Sequence, residues 1–301
     1  MRISAQARVK GEYMLPYPIL VLGDIKVYMY GLMIAIGILC CFFVLFEYSK
    51  RLGISNEYVD FAFYTGLVAI IIGFIGSAAW QGLFNYIDDV KNGVSNPKFS
   101  LQGGITAIGG LGTGALVYVI GCLAFKKKFP FSLTKTVTVA PCCMIIAHAF
   151  GRLGCLFSGC CHGELLSSVH SEYVFGGIWM QGTNGWGYYV PTQLYESLFL
   201  FTLFGVLSYL VLAKNFKYSL AVYVGSYGIW RFIIEFFRAD YRGSFVGALS
   251  PSQTQSLLLI VLAIPAFFVM RYFVKKHEEY LANTVAVAQT NDGVVTNENQ
   301  E

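Results

Sequence analysis

Charge is what this sequence has least of. Its 301 residues include 21 Lys and Arg, 17 Asp and Glu and four His, so charged side chains make up 13% of the chain. Soluble globular domains carry about 25%, and a shortfall of this size excludes one ordinary soluble core. The stretch 158–191 contains no lysine or arginine. A fixed-period repeat and a linker rich in Pro, Gly or Ser are missing too, so nothing in the chain marks a boundary between domains.

The excess is apolar. Hydrophobic residues make up 56% of the chain and gather into seven runs, at about 27–47, 61–85, 103–125, 136–157, 192–213, 218–238 and 253–274. Crossing a bilayer takes roughly 20 apolar residues, so the pattern predicts an all-α, polytopic membrane protein of about seven transmembrane helices. The first run, VYMYGLMIAIGILCCFFVLFE, starts too far into the chain and runs too long for a signal peptide.

Lysine and arginine orient such a protein, gathering on the cytoplasmic side. An outside N-terminus puts Lys50, Arg51, Lys126 to Lys128, Lys135, Lys214, Lys217, Arg271, Lys275 and Lys276 inside. Only Lys91, Lys98, Arg238 and Arg242 fall in the outer connections, although Arg2, Arg8, Lys10 and Lys26 then precede the first span. The balance predicts N-out and C-in. The net charge of +4 then belongs to cytoplasmic loops beside anionic lipid, not to a nucleic-acid surface. Residues 1–276 read as one transmembrane domain, with 158–191 as a folded outer cap. The polar residues 277–301 read as a disordered cytoplasmic tail.

A charge at the centre of a membrane helix costs about 2.5–3.5 kcal/mol on insertion scales, so the few present are informative. In YGIWRFIIEFFRAD, Arg231 is expected near mid-membrane, with Glu235 and Arg238 at i+4 and i+7 on the same face. One reading is an internal ion pair that fixes helix packing. One glutamate does not balance two arginines, however, and the surplus suits an anion such as a lipid phosphate, which arginine grips in a bidentate way. Arg152 ends the fourth run at a similar level, and PTQLYESLFLF brings Gln193, Tyr195 and Glu196 to the outer end of the fifth. An interfacial aromatic belt accounts for the tyrosine alone and solvation for the glutamate alone. Three spans carrying charge to one leaflet instead predict an anion-binding cavity. The glycine-rich LQGGITAIGGLGTGAL, with Gly103, Gly104 and the Gly110/Gly114 GxxxG pair, reads as close helix packing or as a wall against a lipid headgroup.

VYMYGLMIAIG, LQGGITAIGGLGTG, APCCMIIAHAFGRLG, PTQLYE and YGIWRFIIEFFRAD, in that order and spacing, resemble the bacterial prolipoprotein diacylglyceryl transferases. The resemblance implies transfer of the diacylglyceryl group of phosphatidylglycerol to a prolipoprotein signal-peptide cysteine, at the outer face of the cytoplasmic membrane and without a cofactor. It matches Arg152 and Arg231 to the arginines of the phospholipid-binding and catalytic cavity and sets Tyr195 and Glu196 beside them. Tyr30, Gly103, Gly104, Gly154, Gln193, Glu235 and Arg238 match recurring lipid-site positions. A thiolate would attack a glycerol carbon while glycerol phosphate leaves, a charge that arginines stabilise.

The chain departs from the family pattern at several places. Ile108 stands where the family has a histidine, Cys155 and Cys160 where it has an asparagine and a glutamate, and Glu164 where it has an arginine. Phe74 takes the place of another arginine. His148, His162 and Glu164 are the alternative groups for deprotonating a thiol. Of the eight cysteines, Cys40, Cys41, Cys122, Cys142 and Cys143 fall within spans and read as small hydrophobes. Cys155, Cys160, Cys161 and His162, in GRLGCLFSGCCHG, are open to four readings: a disulfide, a metal site using Cys155, Cys160 and His162, a reactive thiol, or packing. Two further classes therefore stand beside the transferase: a thiol- or metal-dependent membrane redox protein and a non-catalytic lipid binder.

Overall fold

Lipid offers no hydrogen bonds, so an apolar run must satisfy its own backbone, and a helix does this within one segment. The computed structural model describes residues 19–22, 25–91, 93–101, 106–170, 174–238 and 249–298. Six helices among them are long and apolar enough to cross a membrane. They are α1 (Met29–Arg51), α2 (Asn56–Lys91), α4 (Ser132–Phe157), α5 (Thr192–Lys214), α6 (Ser219–Ile234) taken with the 3-10 turn that carries it to Phe237, and the Ser252–Thr284 part of α7 (Pro251–Glu298). The third apolar run forms a shorter helix, α3 (Ala107–Ala124). Its 18 residues span about 27 Å, just under the roughly 30 Å of a hydrocarbon core. The chain is an all-α, multi-pass membrane protein. Its helices turn large apolar side chains outward, with Leu39 and Phe43 on α1 each 69% exposed and Ile264 on α7 63% exposed.

Contacts divide the chain into two compact units, Ser49–Thr136 and the combined stretches Met1–Tyr48 and Val137–Glu301. In the first, α2 and α3 pack through small residues. A Cβ on Gly73 would stand 3.0 Å from the Gly110 carbonyl oxygen, and one on Gly114 would stand 3.1 Å from that of Ala69. The GxxxG pair here brings two helices together, which is the packing role of small residues in membranes.

The second unit begins with an antiparallel hairpin, β1 (Leu20–Leu22) with β2 (Ile25–Val27), in which Val21 pairs Lys26. Its helices are tied by hydroxyls to carbonyls across them. Ser197 of α5 donates to the Ala149 oxygen of α4 at 3.0 Å, and Ser219 of α6 donates to the Thr138 oxygen of α4 at 2.9 Å. Between α4 and α5, the lysine- and arginine-free stretch forms an antiparallel sheet of order β3-β5-β4, from β3 (Leu165–Ser167), β4 (Ile178–Gly182) and β5 (Gly185–Tyr189). Trp179 pairs Tyr188 and Met180 pairs Gly187 in its register. Leu156 at the end of α4 joins Met180 and Tyr189 in a buried apolar cluster that fastens the sheet to the helix. After α6 a 3-10 turn, Glu235–Phe237, leads to Arg238. The polar residues expected to form a disordered tail continue α7 as far as Glu298, and near their start Lys217 Nζ lies 2.7 Å from Glu278.

Candidate functional site: a buried arginine–glutamate cluster beside three thiols

Helical spacing assembles the site inside the second unit. On α4, His148, Arg152 and Cys155 recur at i, i+4 and i+7, while on α6 Tyr223, Tyr227 and Arg231 recur at i, i+4 and i+8, so each set shares one face. Glu196, in the second turn of α5, is 1% exposed and receives both sets. Arg152 Nη2 lies 3.0 Å from Glu196 Oε1, and Tyr227 Oη donates to the same oxygen at 2.8 Å. His148 packs edge-on against the Tyr227 ring and shares a 3.1 Å hydrogen bond with Tyr223 Oη. Tyr227, absent from the sequence-based set, is thus the link between the two arginine-bearing helices. Its position four residues before Arg231 is the signal that would have found it.

Arg231 sits beside the junction of α6 with the 3-10 turn Glu235–Phe237. The helix ends at Ile234, so Arg231 occupies its last turn. Its Nη2 is 2.8 Å from Glu235 Oε2 and donates to Ser252 Oγ, at the start of α7, at 3.1 Å. Ser250 Oγ donates to Glu235 Oε1 at 2.9 Å, and Arg238 Nε lies 3.8 Å from Glu235 Oε2. Arg231 Nη1 is buried and has no hydrogen-bond partner among the described residues. Three guanidinium groups, of Arg152, Arg231 and Arg238, face two carboxylates, of Glu196 and Glu235. Beside these ion pairs, the buried Arg231 Nη1 is a donor of the kind that suits an anion.

Gln193 and Tyr195 work elsewhere. Gln193 Nε2 donates to the Cys160 carbonyl at 2.6 Å, and its neighbour Thr192 Oγ1 donates to the Cys161 carbonyl at 2.8 Å. Tyr195 Oη donates to the Gly176 carbonyl at 3.2 Å, in the turn before β4. Gly154 lets α1 approach α4, since a Cβ there would stand 3.0 Å from the Tyr30 ring. Gly103 and Gly104 lie outside the described residues. Phe74 sits exposed on α2 in the other unit, and Ile108 lies on α3 there.

All eight cysteines are free thiols, so the disulfide reading finds no bond here. The Sγ atoms of Cys155, Cys160 and Cys161 lie within 4.8 Å of one another. His162 stands apart from them, which corrects the expected Cys155, Cys160 and His162 ligand set. One ring nitrogen meets the Gly163 carbonyl at 2.8 Å, and the other accepts from the Thr183 backbone N–H at 3.0 Å. Its ring also packs on Tyr189, so the histidine braces the sheet. Glu164 is exposed. Hydrogen bonds from the Cys155 and Cys160 thiols, then the charges of Arg238 and Arg152, hold the Cys161 thiol well below the usual cysteine range. The same exchange, with burial, pushes the Cys160 thiol up. A cavity of about 630 Å³ lined by Lys26, Tyr28, Tyr30, Ser158 and Cys160, among others, opens on this cluster.

A family model described as prolipoprotein diacylglyceryl transferase matches residues 18–269. Three curated relatives cover nearly their whole length. The chain is 32% identical over 260 residues to the phosphatidylglycerol–prolipoprotein diacylglyceryl transferase of Clostridium tetani, covering 83% of this chain and 96% of that protein. It is 32% identical over 270 residues to the protein of the same name from Dehalococcoides mccartyi, covering 87% and 95%. To phosphatidylglycerol–prolipoprotein diacylglyceryl transferase 2 of Clostridium perfringens it is 30% identical over 250 residues, covering 80% and 91%.

Proposed function

The chain belongs to the prolipoprotein diacylglyceryl transferase family, and from that membership we propose that it moves the diacylglyceryl group of phosphatidylglycerol onto the cysteine thiol of a prolipoprotein signal peptide. The donor phosphate sits in the arginine cluster, where Arg231 Nη1 receives it. The acceptor sulfur, as thiolate, attacks the glycerol carbon. A carbon–sulfur bond forms, the carbon–oxygen bond to phosphate breaks, and glycerol phosphate departs with the electron pair. The leaving group gains negative charge at that moment, so donors already aimed at the phosphate stabilise the transition state more than the ground state. Glu196 and Glu235 hold Arg152 and Arg231 in place, and Tyr227 joins them. Arg238, Gln193, Gly154 and Tyr30 shape the surrounding lipid site.

The reaction belongs at the outer face of a bacterial cytoplasmic membrane, with the N-terminus outside and the C-terminus inside, a topology that the lysine and arginine distribution supports. The observation that carries the reading is the buried Arg231 Nη1, which has no hydrogen-bond partner among the described residues. Expression in a host stripped of its own transferase tests it. Lipoprotein cysteines should carry diacylglyceryl by mass spectrometry, and unmodified cysteines alongside normally inserted protein would defeat the reading. Reporter fusions at the two ends check the topology.

A further inference from the structure

Three soft ligands are built into one turn. α4 ends at Phe157, and the chain doubles back so that the Cys160 N–H donates to the Cys155 carbonyl at 3.2 Å. Gly159 and Cys161 both adopt positive φ, +66° and +64°. The second is a conformation that a residue with a Cβ rarely holds unless its surroundings enforce it. Those surroundings are the Gln193 and Thr192 side chains, both 2% exposed or less, gripping the carbonyls of the adjacent cysteines. The Gly163 N–H adds a 2.8 Å bond to the Val190 carbonyl. Two buried side chains are committed to aiming two thiols at a third.

The spacing suits one ion. Sulfurs bound to a tetrahedral zinc at about 2.3 Å stand about 3.8 Å apart, and the three here lie within 4.8 Å of one another before any ion draws them in. Three protein ligands with an open fourth position is the pattern of catalytic zinc; structural zinc has four. His162, with both ring nitrogens engaged, does not close the site. Cys160 is exposed and lines the 630 Å³ cavity, so the open position faces room for a second molecule. Arg152 and Arg238, which face Cys161, offset the negative charge that a zinc trithiolate carries.

We propose that Cys155, Cys160 and Cys161 hold a zinc ion whose fourth position takes the acceptor cysteine of the transfer reaction. This rests on the transferase reading and replaces the cofactor-free expectation. On binding, the acceptor S–H gives its proton to solvent, because a coordinated thiol is deprotonated. The sulfur then bonds to the glycerol carbon as glycerol phosphate leaves with the carbon–oxygen electron pair. The product is a neutral thioether, a weaker ligand than a thiolate, and it departs. Zinc stays divalent throughout. The magnitude follows from the acceptor's ordinary pKa of about 8.5: free, it is about 3% thiolate at pH 7, so full ionisation is worth up to about 30-fold in rate.

The test uses the full chain purified in lipid nanodiscs under reducing conditions. Elemental analysis should find about one zinc per chain, lost in Cys155→Ser and Cys161→Ser. Wild-type protein stripped by a chelator carries the test if those variants fold poorly. Its transfer from phosphatidylglycerol to a cysteine peptide should fall up to about 30-fold at pH 7, recover with added zinc, and differ little from the metal-loaded protein above pH 9.5. In cobalt-substituted protein the visible spectrum should change with the cysteine peptide and not with its serine analogue. Normal transfer by zinc-free protein, or by protein with a disulfide among the three cysteines, overturns the zinc site and leaves the transferase reading standing. A cobalt spectrum indifferent to the peptide overturns the open position. Zinc-loaded protein that transfers nothing to any cysteine peptide, and does not restore lipoproteins in the stripped host, defeats the transferase reading itself.

Discussion

Replacing Arg231 by lysine separates charge from geometry at the anion site. Arg231 spends Nη2 on Glu235 and Ser252, at 2.8 and 3.1 Å, while Nη1 has no hydrogen-bond partner among the described residues. Lysine preserves the charge but offers one nitrogen on a flexible stem, so it serves Glu235 or the phosphate and not both. The loss is one hydrogen bond between charged groups, about 1.5–3 kcal/mol. At 1.36 kcal/mol per factor of ten, kcat/KM for phosphatidylglycerol should fall about 10- to 160-fold in Arg231→Lys. The change should appear chiefly in kcat, because the bond strengthens as the phosphate gains charge. The assay measures glycerol phosphate release from phosphatidylglycerol nanodiscs with a cysteine peptide, alongside a melting curve. A variant within threefold of wild type, with an unchanged Tm, would show that Nη1 does not meet the phosphate.

Other outcomes follow from neighbouring contacts. Glu196→Gln leaves the Arg152 guanidinium, whose side chain is 17% exposed, without its counter-charge; the expected cost is about 3–5 kcal/mol of stability, read as a lower Tm together with lost transfer. Tyr195→Phe removes one hydrogen bond to the Gly176 carbonyl, so stability should drop by about 0.5–1.5 kcal/mol and activity less than about tenfold. A larger kinetic loss without a matching Tm change would assign the hydroxyl to the chemistry. Gly159→Ala puts a Cβ at φ +66° against the Gln181 carbonyl. The left-handed conformation alone costs about 1–2 kcal/mol, and an unchanged melting temperature would contradict the turn described here.

The membrane fold was legible in the sequence because its cause is one-dimensional. A run of apolar residues in lipid must close its own hydrogen bonds, so span number and helical content follow from composition along the chain. Charge in such runs is costly enough to be conspicuous, which is why Arg152, Glu196, Arg231, Glu235 and Arg238 stood out before any fold was known. Which groups meet depends instead on how helices rotate and where they end. The residue run 218–238 gave no sign that α6 stops at Ile234, which puts Arg231 in its last turn beside Glu235 and the start of α7. Tyr227 joins Arg152 to the α6 face only because α5 places Glu196 between them. The three cysteines and one histidine of GRLGCLFSGCCHG were equivalent candidates on paper. A left-handed Cys161 and the grip of Thr192 and Gln193 turn three thiols together, while the sheet takes His162 away. Local chemistry named the participants, and long-range hydrogen bonds between segments some thirty residues apart chose their partners, since no local rule sets which carbonyl a distant side chain will reach.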